Sequence, residues 1–147
     1  LMPKTDHRTP SRVIVLEADL VDSAAFLALS STSIVVLMGF MRKRQMKKRE
    51  HQRRKDVWEI LNNGRLTYTF KEAQARGIPK QSFNRAIKQL VEVGFIDVTR
   101  PGIGGRGIHN QPTTYALSDR WQKWGTPDFQ RVDKPTNSLT RIVGFSR

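Results

Sequence analysis

Residues 69–100 decide the fold, and they read TFKEAQARGIPKQSFNRAIKQLVEVGFIDVTR. Thr69 and Glu72 stand at the spacing of a capping box, in which each side chain bonds to the other residue's backbone amide at a helix start. This pattern predicts a short helix that runs to about Arg76. Gly77 is expected to end it, because the residue past a helix is commonly left-handed and glycine takes that conformation without steric cost.

A longer helix is predicted over residues 80–93. Pro79 suits its start, where the missing amide would have no helical partner. Apolar residues recur at helical spacing, and polar residues occupy the opposite side, namely Lys80, Gln81, Ser82, Asn84, Arg85 and Lys88. Such side chains can hydrogen-bond to base edges in a major groove, so this face predicts a DNA-recognition helix. An ordinary amphipathic helix with a solvated polar face is the alternative.

A β-hairpin is predicted after the second helix. Residues 95–100 alternate with the two-residue period of a strand, residues 101–112 are rich in glycine, and residues 113–117 read as the returning strand. Two helices joined by a tight turn and followed by a hairpin indicate a winged helix-turn-helix. The predicted class is α+β, mainly α, with a three-helix core and a β-hairpin wing.

Basic residues outside the second helix extend the predicted DNA surface. Lys71 and Arg76 of the first helix are expected on phosphates, and Arg100 and Arg106 of the wing on the backbone or minor groove. The glycines of the wing do not indicate nucleotide binding, because the chain has no GxxxxGK[ST] motif there and no helix follows directly.

Residues 23–41 contain no charged side chain and precede a basic run, which is also the pattern of a membrane span. Four hydroxyl residues at 30–33 divide this stretch into pieces far shorter than the roughly 20 apolar residues that a span needs. If Ser31 or Ser33 caps a helix, a core-facing stripe follows at helical spacing, formed by Ile34, Leu37, Met38 and Met41. Val35, Val36 and Phe40 widen this stripe. We therefore predict a third core helix near 33–46, with a membrane-anchored protein as the less favoured alternative.

Two further local predictions concern the flanks of this unit. The turn sequence Asn62-Asn63-Gly64 predicts a short hairpin between residues 57–61 and 65–69, or an extended strand across that turn, with a strand at Leu66-Thr67-Tyr68. Ser118 can cap a short helix through Trp124, with Trp121 and Phe129 packed back on the domain.

The charge balance favours a polyanionic partner. The chain has 147 residues with 26 Lys and Arg against 13 Asp and Glu, a formal net charge of +13. Nine of the cations fall between Arg42 and Lys55, against Glu50 alone. This run is either a solvated helix end or loop, or a phosphate-contacting segment, with the candidate contacts Lys47, Lys48 and Arg49.

The residue inventory argues against enzymatic chemistry. The chain has no cysteine, so it has no disulfide, thiolate zinc site or thiol nucleophile, which fits a cytoplasmic protein. His7, His51 and His109 are scattered, and no HExxH motif or carboxylate pair accompanies them. We therefore predict no catalytic residue, no metal, no cofactor and no small-molecule substrate.

Several short motifs carry a resemblance to a known family: Phe40-Met41-Arg42-Lys43-Arg44, Leu66-Thr67-Tyr68, Gly77-Ile78, Gly94-Phe95-Ile96-Asp97, Tyr115-Ala116-Leu117-Ser118-Asp119-Arg120-Trp121 and Gly125-Thr126-Pro127-Asp128-Phe129. The chain resembles prokaryotic winged helix-turn-helix proteins of mobile-element or replication-initiator type. This resemblance runs over about 26–129 and implies a DNA-binding domain there. Residues 1–25 are then an N-terminal tail, and residues 130–147, in which Pro, Asn, Ser and Thr dominate, are expected to form a flexible C-terminal tail.

The predicted partner is double-stranded DNA, and a homodimer remains open. Regulation of transcription is the predicted use. An accessory role in plasmid or phage replication initiation is the alternative.

Overall fold

The computed structural model of the chain describes residues 13–49, 57–104 and 111–132. It is a mixed α+β structure with small sheets. The helices are α1 (Ala18–Val21), α2 (Ala24–Leu27), α3 (Ser31–Arg42), α4 (Phe70–Ala75), α5 (Lys80–Val93) and a 3-10 helix at Arg120–Lys123. The strands are β1 (Met46–Arg49), β2 (Val57–Ile60), β3 (Leu66–Thr67), β4 (Ile96–Arg100) and β5 (Thr114–Leu117).

The N-cap of helix α3 lies one residue before Ser31 and three residues before Ser33, the two predicted caps. The hydroxyl of Ser30 accepts a hydrogen bond from the Ser33 amide at 3.1 Å, so Ser30 is the N-cap. The helix ends at Arg42 rather than near 46, because the chain enters β1 at Met46.

The buried face of α3 agrees only in part with the predicted stripe: Val36, Leu37, Phe40 and Met41 are buried as predicted, whereas Val35 is exposed. This face consists of Ser33, Val36, Leu37, Gly39, Phe40 and Met41, whereas Ile34 and Met38 are only partly buried. The helix turns its largest side chain inward, because the Phe40 ring packs on Tyr68 and Tyr115 at centroid distances of 5.3 and 5.0 Å. Among the described residues, every helix is too short or too polar to span a bilayer.

The segment from α4 to α5 follows its sequence signals closely. The Thr69 hydroxyl accepts from the Glu72 amide, and the Glu72 carboxylate accepts from the Thr69 amide, both at 3.2 Å, which confirms the capping box. Helix α4 ends at Ala75, and Gly77 has a φ of +81°. Helix α5 spans the predicted residues, with Pro79 as its N-cap instead of its first helical residue.

Three strands form the larger sheet, in the order β3-β5-β4 with antiparallel neighbours. The predicted hairpin of residues 95–100 and 113–117 is therefore present as β4 and β5, and a bridge between Ile103 and Gln111 extends it. Residues 105–110, including Arg106, lie outside the described part of the chain.

The predicted hairpin between residues 57–61 and 65–69 is wrong. Strand β2 pairs with β1 in a separate two-stranded sheet, and β3 pairs with β5. The basic run therefore does not continue as a helix end: residues 46–49 form a strand. The side chains of the turn fit this pairing of β2 with β1 and of β3 with β5. The Asn62 side chain bonds to the Gln45 amide just before β1, and the Asn63 side chain bonds to the Leu117 amide at the end of β5.

The core extends upstream of residue 26, the predicted start of the domain. Leu20 and Ala25 are buried in the same cluster as the residues of α3 and α5, so packing begins upstream of residue 26. At the other edge, Trp121 stacks on Phe95 at 5.6 Å, as the sequence suggested. The predicted helix from Ser118 to Trp124 is a shorter 3-10 turn whose N-cap residue is Asp119.

Candidate nucleic-acid interface

One face of α5 carries the predicted readout residues together. Lys80, Gln81, Asn84, Arg85 and Lys88 are all exposed, and Ser82 is half-buried at the flank. The opposite face is the one packed into the core, with Phe83, Ala86, Leu90, Val91 and Val93 buried. The helix therefore combines a fixed inner face with a solvent-facing row of amide, guanidinium and ammonium groups.

The contacts within this exposed row are weak. The Arg85 guanidinium donates to the Ser82 hydroxyl at 3.4 Å, and the Lys88 ammonium lies 3.9 Å from the Glu92 carboxylate. Exposed ion pairs of this kind contribute roughly 0 to 1 kcal/mol, so they yield readily to a phosphate or a base edge. Glu92 had not been included in the predicted site, although its spacing of four residues from Lys88 places it on the same face.

The first turns of α4 and α5 contact each other through the rings of Phe70 and Phe83. The Phe70 side chain is 42% exposed, packs edge-on against Phe83 at 5.6 Å, and holds the Lys80 ammonium 4.8 Å from its ring centre. Lys71 and Arg76, the predicted phosphate contacts of α4, are also exposed. Phe70 was missed by the sequence analysis; an aromatic residue at the first position of a capped helix is its sequence signal.

Gln89 fixes the orientation of α5 against α3, and sequence reasoning also missed it. Its side-chain oxygen accepts from the Ser30 amide at 2.9 Å and from the Ser33 hydroxyl at 2.6 Å. Its side-chain nitrogen donates to the Ala28 carbonyl at 3.2 Å. Because all three partners precede or begin α3, these bonds hold α5 in one rotation about its axis. The exposed row next to Gln89 is thereby kept facing solvent.

A second polar contact orients α4. The Lys43 ammonium pairs with the Glu72 carboxylate and lies 5.0 Å from the centre of the Tyr68 ring. Burial alone would raise the pKa of Glu72, but hydrogen bonds from Lys43 and Thr69 outweigh it and hold that pKa below its usual value. The capping box of α4 is thus joined to the end of α3 through one carboxylate.

The β4–β5 hairpin projects from the C-terminal end of α5. Arg100 is exposed on β4, where the register with β5 shifts between Val98 and Arg100. The hairpin stays paired as far as Ile103 and Gln111, whose amides and carbonyls bond reciprocally at 2.7 and 2.8 Å. The prediction for Arg106 concerns the undescribed tip and stays a prediction.

The candidate phosphate contacts of the basic run lie on β1. Lys47 is exposed and stands opposite Glu59 of β2, while Lys48 stands opposite Trp58 and Arg49 opposite Val57. They therefore form a second basic element, separate from α5 and from the β4–β5 hairpin.

Comparison with known proteins adds no relative: no family model, no curated protein and no solved structure matches the chain. Within the described ranges, no group of three or more His, Cys, Asp or Glu side chains is placed to hold a metal ion. The geometry of the exposed side chains is therefore the basis for assigning a function.

Proposed function

We propose that this chain is a winged helix-turn-helix protein that binds double-stranded DNA and regulates transcription. Helix α5 is the recognition helix, and the β4–β5 hairpin is the wing. The observation that carries the proposal is the exposed row Gln81, Asn84, Arg85 and Lys88 on a helix whose other face is locked into the core.

The order of elements supports this assignment. Helix α3 is followed, after the β1–β2 hairpin, by β3, α4, a glycine turn, α5 and the β4–β5 hairpin. Strand β3 precedes the helix pair and joins the returning strand of the wing, so the sheet closes against the helices. Such a layout presents the second helix of the pair to a major groove and a hairpin to the adjacent backbone.

The chemistry of the exposed row suits base readout. An arginine can donate two hydrogen bonds to the O6 and N7 atoms of guanine, and Gln or Asn can pair with the N6 and N7 atoms of adenine. An α-helix of about 10–12 Å diameter fits a major groove about 12 Å wide. Arg85, Gln81 and Asn84 are the proposed base contacts, and Lys71, Arg76 and Lys88 the proposed phosphate contacts.

A protein that reads a DNA site through one helix acts by occupying that site. Control of transcription is the use that we propose, since occupancy alone can block or recruit other proteins at a promoter. The net charge of +13 supports attraction to any duplex, whereas the amide and guanidinium groups of α5 would supply sequence preference.

The test is a double substitution on the exposed face, Arg85→Ala with Lys88→Ala. Both side chains are exposed, so the folded structure and its unfolding midpoint should change little. Affinity for duplex DNA should fall by at least about tenfold, because one lost bidentate base contact costs roughly 1–3 kcal/mol. Lys123→Ala is the control, since Lys123 is an exposed lysine on the 3-10 helix and not a residue of α5. Unchanged duplex binding by the folded double variant would refute the proposal.

A further inference from the structure

We propose that the β1–β2 hairpin is a second DNA-binding arm, which contacts the sugar–phosphate backbone beside the segment bound by α5. The basic arm is defined as Met46–Arg49 and Val57–Ile60. This inference rests on the proposed function, because it concerns the same duplex.

The charge pattern of the arm supports a phosphate partner. Strand β1 carries three consecutive cations, Lys47, Lys48 and Arg49, and Glu59 is the one acidic residue of the two strands. Successive positions of a strand belong to opposite faces of a ribbon. Cationic positions therefore occur on both faces, a pattern suited to a ribbon that lies between phosphates rather than flat on its own protein core.

The base of the arm is held by the residues that flank it. The Leu61 amide donates to the Gln45 carbonyl at 2.8 Å, which closes the hairpin at its core-proximal end. The Asn62 side chain accepts from the Gln45 amide and donates to the Lys43 carbonyl, both at 2.9 Å. The arm consequently has a defined exit direction from the end of α3.

The same turn also joins the arm to the β4–β5 hairpin. The Asn63 side chain donates to the Leu117 carbonyl at 3.1 Å and accepts from the Leu117 amide at 2.7 Å. The Gly64 carbonyl accepts from the Thr99 hydroxyl at 2.7 Å. Three consecutive residues therefore link the basic arm to both strands of the hairpin that carries Arg100. These bonds would therefore keep the arm in a fixed position beside a duplex that is bound by α5 and the β4–β5 hairpin.

An anionic membrane surface fits the arm less well than a duplex. Peripheral membrane segments typically present a helix with one broad apolar face and one cationic face. The arm is a strand pair, in which Lys47 stands opposite Glu59 and Met46 opposite Ile60. Its cationic positions thus follow one strand of a narrow ribbon and do not form one broad face opposite an apolar face.

The experiment measures the salt dependence of duplex binding by the full chain. Wild type and the variant Lys47→Gln, Lys48→Gln, Arg49→Gln are titrated with a mixed-sequence duplex of about 40 base pairs at a series of KCl concentrations. The slope of log K against log salt should fall in magnitude by roughly 0.9 for each lost phosphate contact, and by about 2.7 if all three contacts are made.

The single variant Lys47→Gln is compared with Lys123→Gln as its matched control. Lys123→Gln makes the same chemical change at an exposed lysine outside the arm. We expect the slope of log K against log salt to be smaller in magnitude for Lys47→Gln and equal to the wild-type slope for Lys123→Gln. A further variant, Lys47→Arg with Lys48→Arg, keeps the charge and should retain the wild-type slope. Circular dichroism of each variant checks that the chain is folded.

Equal slopes for wild type and the folded triple variant would overturn the proposal. The proposal would also be overturned if the triple variant lost binding to vesicles containing phosphatidylserine while its duplex binding stayed unchanged. Failure of the proposed function looks different: Arg85→Ala then leaves duplex affinity unchanged, whatever the arm does.

Discussion

The β1–β2 and β4–β5 hairpins are both antiparallel ribbons that carry cations, but they differ in what their strands pack against. In the β4–β5 hairpin, Ile96 and Tyr115 are buried in the core, and β3 covers one edge. In the β1–β2 hairpin, Met46 is 41% exposed, and the two strands form a sheet of their own. An isolated two-stranded hairpin is at best marginally stable, so the bonds at its base must hold it in place.

This difference separates two kinds of substitution. Changes at the base of β4–β5 should lower the stability of the whole domain, because that hairpin is continuous with the core. Substitutions in the β1–β2 hairpin, or in the residues that hold its base, should act locally and alter DNA binding without unfolding the chain.

The largest effect is expected from Gly94→Ala at the junction of α5 and β4. Gly94 has a φ of +98°, and an added Cβ would lie 2.7 Å from the Trp121 amide nitrogen. Left-handed strain of about 1–2 kcal/mol and the backbone clash together should lower the free energy of unfolding by about 3 kcal/mol or more. Urea unfolding measures the loss.

Gly77→Ala is its matched control. Gly77 has a φ of +81°, but an added Cβ there would meet nothing within 4 Å. Only the conformational strain of about 1–2 kcal/mol should then appear. Equal losses for the two variants would contradict the close packing assigned to the base of β4.

A smaller and local effect is expected from Asn62→Ala at the base of the arm. Two hydrogen bonds are lost, each worth about 1 kcal/mol net. Amide exchange at Gln45 should accelerate strongly, because that amide donates to the Asn62 side chain. The Leu117 amide should keep its protection.

Asn63→Ala should give the reverse pattern, since Asn63 bonds to Leu117 and not to β1. Amide exchange followed by mass spectrometry or NMR distinguishes the two. If both variants released the same set of amides, the two hairpins would be one cooperative unit, and the division drawn above would be incorrect.

The smallest effect concerns pH and the contact between α3 and α4. Because the pKa of Glu72 is lower in the folded protein than its ordinary value of 4.5, the ionised carboxylate favours folding. Its contribution is complete above that ordinary value and is lost as pH falls through the lowered pKa. Glu72→Gln should therefore weaken the fall in stability between about pH 5 and pH 3. An identical pH profile for wild type and Glu72→Gln would count against this contact.

The parts of the fold that local signals govern could be predicted from the sequence. The capping box at Thr69 and the left-handed Gly77 each depend on a few adjacent residues, and the structure has both. Helix α5 followed from its regular apolar spacing. The predicted readout residues lie on one face for the same reason.

The parts that depend on distant partners were not predictable in this way. Strand β2 has the alternation expected of a hairpin strand, but its partner is β1 and not β3. The side chains of Asn62 and Asn63 bond to Gln45 and Leu117, which are distant in sequence. The rotation of α3 depends on ring packing between Phe40, Tyr68 and Tyr115. Gln89 was missed for the same reason: its partners are about 60 residues away in sequence. Periodicity within a segment carries no record of such contacts.

The central claim, that α5 reads the sequence of a duplex, is tested most directly by selecting bound oligonucleotides from a random duplex pool. We expect an enriched motif for wild type and, for Arg85→Ala, loss of a guanine preference at one position with the rest of the motif retained. No enrichment by the folded wild-type protein, or the same motif at full strength from Arg85→Ala, would contradict this claim.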